Sequence, residues 1–208
     1  MANNDLPLDI EYQNSHYWNS LMLTARYNYD QIARLLGRQN PQTSPNKQNE
    51  KGETAVIIAS KYGSSLVLDI LLTKLRADVN MLDNNNTSAV LWVAKRGNWS
   101  VVRTLVNKRA IVGQPDNDDQ IALQFAIRSK DQTNVWRIVR ADRMGRSLTV
   151  FDNQGRTPLH IAAETGDINI IYLLLNAGVN KLSRDIWGRT PEQTAMGRGY
   201  YQAAMILN

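Results

Sequence analysis

One fifteen-residue phrase returns six times along the 208-residue chain, in nearly constant register. Its fullest copy, Asp152 to Gly166, reads DNQGRTPLHIAAETG. Asn49 to Gly63 (NEKGETAVIIASKYG), Asp83 to Gly97 (DNNNTSAVLWVAKRG) and Asp185 to Gly199 (DIWGRTPEQTAMGRG) follow the same pattern. Asn14 to Asn28 and Asp116 to Lys130 are fainter copies. With Thr157 as marker, the equivalent residues are Asn19, Thr54, Ser88, Ile121 and Thr190, spaced by 35, 34, 33, 36 and 33 residues. A period of that size restricts a chain to a row of like units, each packed on its neighbours.

The phrase also dictates the shape of one unit. Thr-Pro, or its substitute, opens a helix: the hydroxyl caps free amides, and proline has no N–H to waste at the first position. Small and apolar residues follow, such as Leu159, Ala162 and Ala163, and allow close approach of a neighbouring helix. Gly63, Gly97, Gly166 and Gly199 then stand where the helix must end in a left-handed turn. A second apolar run comes after each, as in Leu66 to Leu72, Val101 to Val106 and Ile170 to Leu175. These runs have helical spacing. One helix pair is too small to bury its own apolar face, so it must stack on the next.

The phrase resembles the ankyrin repeat motif, whose period is about 33 residues. The resemblance implies an all-α solenoid of stacked helix-turn-helix units with short β-turn or hairpin fingers. Residues 1–13 are then an N-terminal extension. The repeats run over about 14–48, 49–82, 83–115, 116–151, 152–184 and 185–208. Arg38 to Gln48, polar and with two prolines, reads as an exposed loop. Arg140 to Thr149 holds the surplus of the 36-residue spacing. Tyr17 and Asn28 stand at the usual glycine positions of the first unit. Glu192, Gln193 and Gln202 give the last unit a polar side, as expected of terminal caps.

Composition narrows the chemistry. Apolar residues make up 43% of the chain, enough for a core, and there is no cysteine. Disulfides, thiolate metal sites and cysteine nucleophiles are thereby excluded. No secretory signal is read at the start, and no run approaches a transmembrane length. The only histidines, His16 and His160, lie in separate repeats. His160 is expected to bond backbone between repeats, and His16 to be exposed or in a surface contact. Asp116 to Asp119 begins like a calcium loop but fails it, with Ile121 at the required glycine and Ile127 at the bidentate glutamate. It is expected to be an acidic, solvent-exposed turn. No phosphate loop is present. The expectation is therefore a non-catalytic chain without cofactor or metal.

Binding is the function the resemblance implies, through the concave side built from first helices and turn tips. The pairs just before the helix-ending position include Arg26-Tyr27, Lys61-Tyr62, Lys95-Arg96 and Arg128-Ser129. Four cations thus recur at one helical position, at a helix spacing of roughly 8–10 Å. They are expected to form a basic column that meets an acidic protein surface. Turn-tip candidates include Glu53, Thr87, Arg156, Trp187 and Arg189, with Trp187 expected to be exposed. Trp92 is expected in the core, Trp99 and Trp136 on second helices, and Trp18 in the N-terminal cap. Net charge is +5. It keeps nucleic-acid binding as a second reading, ranked lower because the cations are dispersed and carry no known motif. A targeting piece of a larger enzyme assembly is another. A cytoplasmic protein, monomeric when unbound and free of membrane, is expected. Bacterial or viral effector and toxin-neutralising immunity protein are the roles that suit it.

Overall fold

The computed structural model describes residues 14–39 and 44–208, so the reading of 1–13 as an extension lies outside the described residues. Helices α1 (Ser20–Tyr27) and α2 (Asp30–Gln39) form the first pair, and α3 (Ala55–Tyr62) and α4 (Ser65–Thr73) the second. The third is α5 (Ala89–Arg96) with α6 (Val102–Asn107), entered through a single 3-10 turn at Trp99–Val101. The fourth is α7 (Ala122–Arg128) with α8 (Gln132–Ala141), followed by the one-turn α9 (Arg146–Thr149). Pairs α10 (Pro158–Thr165) with α11 (Ile168–Asn176) and α12 (Pro191–Gly197) with α13 (Tyr201–Leu207) complete the row. Helix α2 thus occupies Arg38 and Gln39, which the sequence reading gave to the loop.

The register read from sequence is the register of the backbone. Asn19, Thr54, Ser88, Ile121, Thr157 and Thr190 are the N-caps of the six first helices. Five present a side-chain oxygen to the amide three residues on, as Thr54 does to Ile57 at 3.3 Å. Ile121 has no such oxygen. Instead the Gln124 side chain reaches back and accepts from the Ile121 amide at 3.4 Å.

Each phrase begins with an Asx residue that folds the turn before its helix. Oδ1 of Asp185 accepts from the amides of Trp187 (3.0 Å) and Arg189 (2.9 Å). Asn14, Asn49, Asp83, Asp116 and Asp152 accept from the same two positions. The anchor Asp116 is buried, which corrects the expectation of a wholly solvent-exposed acidic turn. Each phrase also ends on a left-handed residue: Asn28, Gly63, Gly97, Lys130, Gly166 and Gly199 all have positive φ. Asn28 and Lys130 adopt it at a cost of roughly 1–2 kcal/mol each, which the surrounding stack must offset.

None of these helices exceeds ten residues, well short of the ~12–15 at which isolated helices become marginal. Packing stabilises them instead. First helices form one layer, with α1 on α3, α3 on α5, α5 on α7, α7 on α10 and α10 on α12. Second helices form the other, from α2 on α4 through α6 on α8 and α8 on α11 to α11 on α13. Between the layers lies one continuous core that includes Leu21, Ile58, Leu71, Leu105, Leu123 and Ile138. Each such side chain contributes about 1.5–3 kcal/mol by leaving water.

The fingers are turns rather than hairpins. Among the described residues the isolated Leu82–Ser88 bridge is the only strand-like pairing. Neighbouring fingers are joined by single backbone amide-to-carbonyl bonds: Glu50 to His16 (3.3 Å), Asn84 to Lys51 (3.0 Å), Asn117 to Asn85 (3.1 Å) and Ile186 to Gln154 (3.1 Å). Among the described residues no such bond links the fourth finger to the fifth, the junction where α9 is inserted. No described helix is long and apolar enough to cross a membrane.

Candidate partner-binding face

The expected column exists as a row of positions, because first helices stack in register. Three of its four charges are not free. The Lys61 ammonium lies 2.6 Å from the buried Glu53 carboxylate, and the Lys61 side chain is only 14% exposed. Lys95 reaches across to the next turn and pairs with the buried Asp116. Arg128 lies 3.5 Å from Asp152, which Arg156 holds from a second side at 2.7 Å. The expectation of an open cationic column is therefore corrected at Lys61, Lys95 and Arg128. The second oxygens of the turn-anchoring Asp116 and Asp152 need partners once buried, and Lys95 and Arg128 supply them, while Lys61 pairs instead with the buried Glu53 beside its own turn. Glu53 and Thr87 are buried as well, not turn-tip groups.

Aromatic rings take over the exposed part of the face. The Arg26 guanidinium lies 5.7, 5.6 and 5.3 Å from the ring centres of Trp18, Tyr27 and Tyr62. Among the described residues Arg26 has no carboxylate partner. Tyr27 stacks on Tyr29 at 5.7 Å, and Tyr27 and Tyr62 are about half exposed. Trp92 packs against the edge of the core and is only partly buried. Its indole donates to Asp83 at 2.7 Å, and its ring lies under Lys61 (4.1 Å) and Arg96 (5.5 Å). An indole satisfies its one donor at the buried turn carboxylate while its face stays at the surface. Trp18, Trp92 and Tyr29 are thus members of the face that residue-type reasoning missed. Their position within or beside the first helices was the available signal.

The other predicted residues meet at the far end of the same face. Arg156, Trp187 and Arg189 line an open cleft of about 590 Å³, together with Glu164, Gln193 and Arg198. Arg156 pairs with Glu164 at 2.8 Å, and Arg198 grips the same carboxylate. Trp187 is 56% exposed, with the Arg189 guanidinium 4.6 Å from its ring centre. Arg189 also holds Asp185 at 2.8 Å. Burial alone would raise the Asp185 carboxyl, but hydrogen bonds from the Arg189 backbone and side chain bring it below the usual carboxylate range. Asp152 shows the same outcome, with burial opposed by Arg156. Arg128 is lowered by burial and by the like charge of Arg156.

The histidines have structural partners. Nδ1 of the buried His160 accepts from the Thr157 amide at 3.2 Å, and Nε2–H donates to the Arg189 carbonyl of the next repeat at 2.9 Å. That is the inter-repeat backbone role expected of it. Burial holds its imidazole below the usual histidine value. His16 is exposed, with Nδ1 3.1 Å from Glu50.

Comparison with known proteins follows this geometry. A family model of three ankyrin repeats matches residues 141–207, and a single ankyrin repeat model matches 51–84. The chain is 30% identical over 125 residues to inversin of Canis lupus familiaris, covering 58% of this chain and 12% of that protein. It is 27% identical over 132 residues to a transient receptor potential cation channel subfamily A member 1 homolog of Caenorhabditis elegans, covering 64% and 11%. The chain therefore spans only about a tenth of these curated relatives. Among solved structures, an ankyrin repeat domain of Acinetobacter baumannii AYE superposes with a TM-score of 0.79 at 27% identity, covering 90% of this chain and 95% of that one. A chain of the complex between a predatory endopeptidase of Bdellovibrio bacteriovorus and an immunity protein matches at 0.75 and 18% identity, over 94% and 98%. At that identity the likeness is one of fold.

Proposed function

The chain belongs to the ankyrin repeat family, and from that premise we propose that it is a non-catalytic module that binds a partner protein through its concave face and turn tips. The observation that carries this reading is the alignment of Tyr27, Arg26, Tyr62, Trp92 and Arg96 along the first helices, with Trp187 and Arg189 at the far end. Tyrosine, tryptophan and arginine are the residue types that dominate binding energy at interfaces. Ion-paired lysines leave Arg26 and Arg96 as the cations that remain to favour an acidic partner. A cytoplasmic setting, or a host cytosol, suits an effector or an immunity protein that blocks a toxin.

The test is capture from candidate lysates on immobilised chain, read by mass spectrometry, in parallel with Tyr27→Ala/Tyr62→Ala and Trp187→Ala. Retention of one protein by the native chain, and its loss from the variants, is the expected result. Equal retention by all three baits would place the binding surface elsewhere. Recovery of nucleic acid alone would favour the second reading.

A further inference from the structure

A second groove opens in the layer of second helices, remote from the face just described. It lies between α6 and α8 and the loops that follow them, and encloses about 500 Å³. Arg103, Arg109, Arg137, Arg140, Arg143 and Arg146 all line it. None has a carboxylate within ion-pair distance among the described residues. The single acidic residue in the lining, Asp142, is turned to the amide and hydroxyl of Ser147. Six arginines against one aspartate leave a local excess of five charges, as much as the whole chain carries.

This contrasts with the concave face, where turn carboxylates meet the cations. Helix C-termini attract a cation or two, but six arginines around one groove exceed that need. The floor between them is apolar, made by Val106, Ala110, Ile111, Trp136 and Met144, of which Ile111 and Trp136 are about half exposed and Met144 more so. The walls are held in place. A Cβ at Gly113 would come within 2.8 Å of the Ser147 amide, so the loop after α6 packs directly on α9.

We propose that this groove binds an acidic, amphipathic peptide segment of a partner protein. Its carboxylates pair with the arginine rim, whose forked donors match them geometrically. A large apolar side chain enters the floor beside Trp136. Nucleic acid fits less well, because base stacking needs open aromatic faces. Trp136 is the only ring in the lining, and the Arg140 guanidinium already lies 5.1 Å from its centre.

Fluorescence anisotropy of a fluorescein-labelled peptide alternating glutamate with leucine and phenylalanine tests the proposal. The native chain is expected to bind it, with affinity falling as salt rises. Arg137→Glu/Arg140→Glu should weaken binding by about tenfold or more while the melting temperature stays unchanged. A peptide with glutamine in place of glutamate should bind comparably weakly, and Trp187→Ala should bind like the native chain. Undiminished binding by Arg137→Glu/Arg140→Glu overturns the proposal, as does loss of binding in Trp187→Ala. Tighter binding of a poly-dT oligonucleotide through the same arginines overturns it in favour of nucleic acid.

Discussion

A turn-anchoring carboxylate such as Asp116 accepts three hydrogen bonds with one side chain. Oδ1 of Asp116 folds the turn by accepting from Asp118 and Gln120, while Oδ2 receives Lys95 from the preceding repeat. Asp116→Ala should therefore destabilise the chain by about 2–4 kcal/mol, since two backbone donors and one part-buried ammonium lose their acceptor. Chemical denaturation measures this, and a loss below about 0.5 kcal/mol, the level of an ordinary surface change, contradicts it. For the same reason Lys95→Glu should cost stability. Acid dependence tests the charge alone. The folded-state pKa values of Asp152 and Asp185 lie below the unfolded value, so their contribution is complete above about pH 4 and is lost as pH falls through the lower folded values. Asp185→Asn keeps an oxygen for the turn, as Asn49 does naturally, and should flatten the dependence of unfolding free energy on pH in that acid range. His160 carries the same sign in a higher window. With its folded pKa depressed by burial, stability should be complete above about pH 6.5 and decline as pH drops below it. A denaturation series whose slope is the same in His160→Gln would contradict this.

At the scale of one element, α10 shows how its ends are set. Thr157 caps it with help from the His160 ring, Pro158 fills its first position, and Gly166 leaves it at φ 71°. A Cβ at Gly166 would stand 2.7 Å from the ring of Tyr200 in the next repeat. Backbone strain and collision therefore act together, and Gly166→Val should destabilise by about 2 kcal/mol or more. Gly166→Ala with Tyr200→Ala separates the two effects. The double variant should recover the steric share and retain about 1 kcal/mol of left-handed strain. No coupling between the two sites in a denaturation cycle would show that the ring does not limit this position.

Across the whole molecule, stability is a sum over units and the interfaces between neighbours. The junction between the fourth and fifth repeats lacks the finger-to-finger bond found at the other four, and it accommodates α9. It should be the weakest internal interface. Native-state hydrogen exchange is expected to show α10 through α13 opening as a block at lower free energy than α3 through α8. Uniform protection across Val150 would contradict a weak junction.

Much of this architecture was legible from periodicity. The six marker residues are the six caps, and the residues ending each phrase, Asn28 and Lys130 included, are all left-handed. Such features arise within one unit, where a few neighbouring residues decide the backbone, and a repeated phrase exposes them. The 36-residue spacing also points to the insertion at Arg140 to Thr149, but not to the row of arginines, three residues apart from Arg137 to Arg146, that runs into it from α8. Tertiary structure alone decided which charges are spent. Lys61 and Lys95 carry the same formal charge as any exposed lysine, but neutralisation depends on a carboxylate brought beside each by folding and stacking. Trp92 likewise reads as core by composition but sits only partly buried at the core's edge, where Asp83 accepts from its indole N–H. Local chemistry fixes where a helix starts and stops, whereas the exposed surface depends on pairings between units, which no single phrase contains.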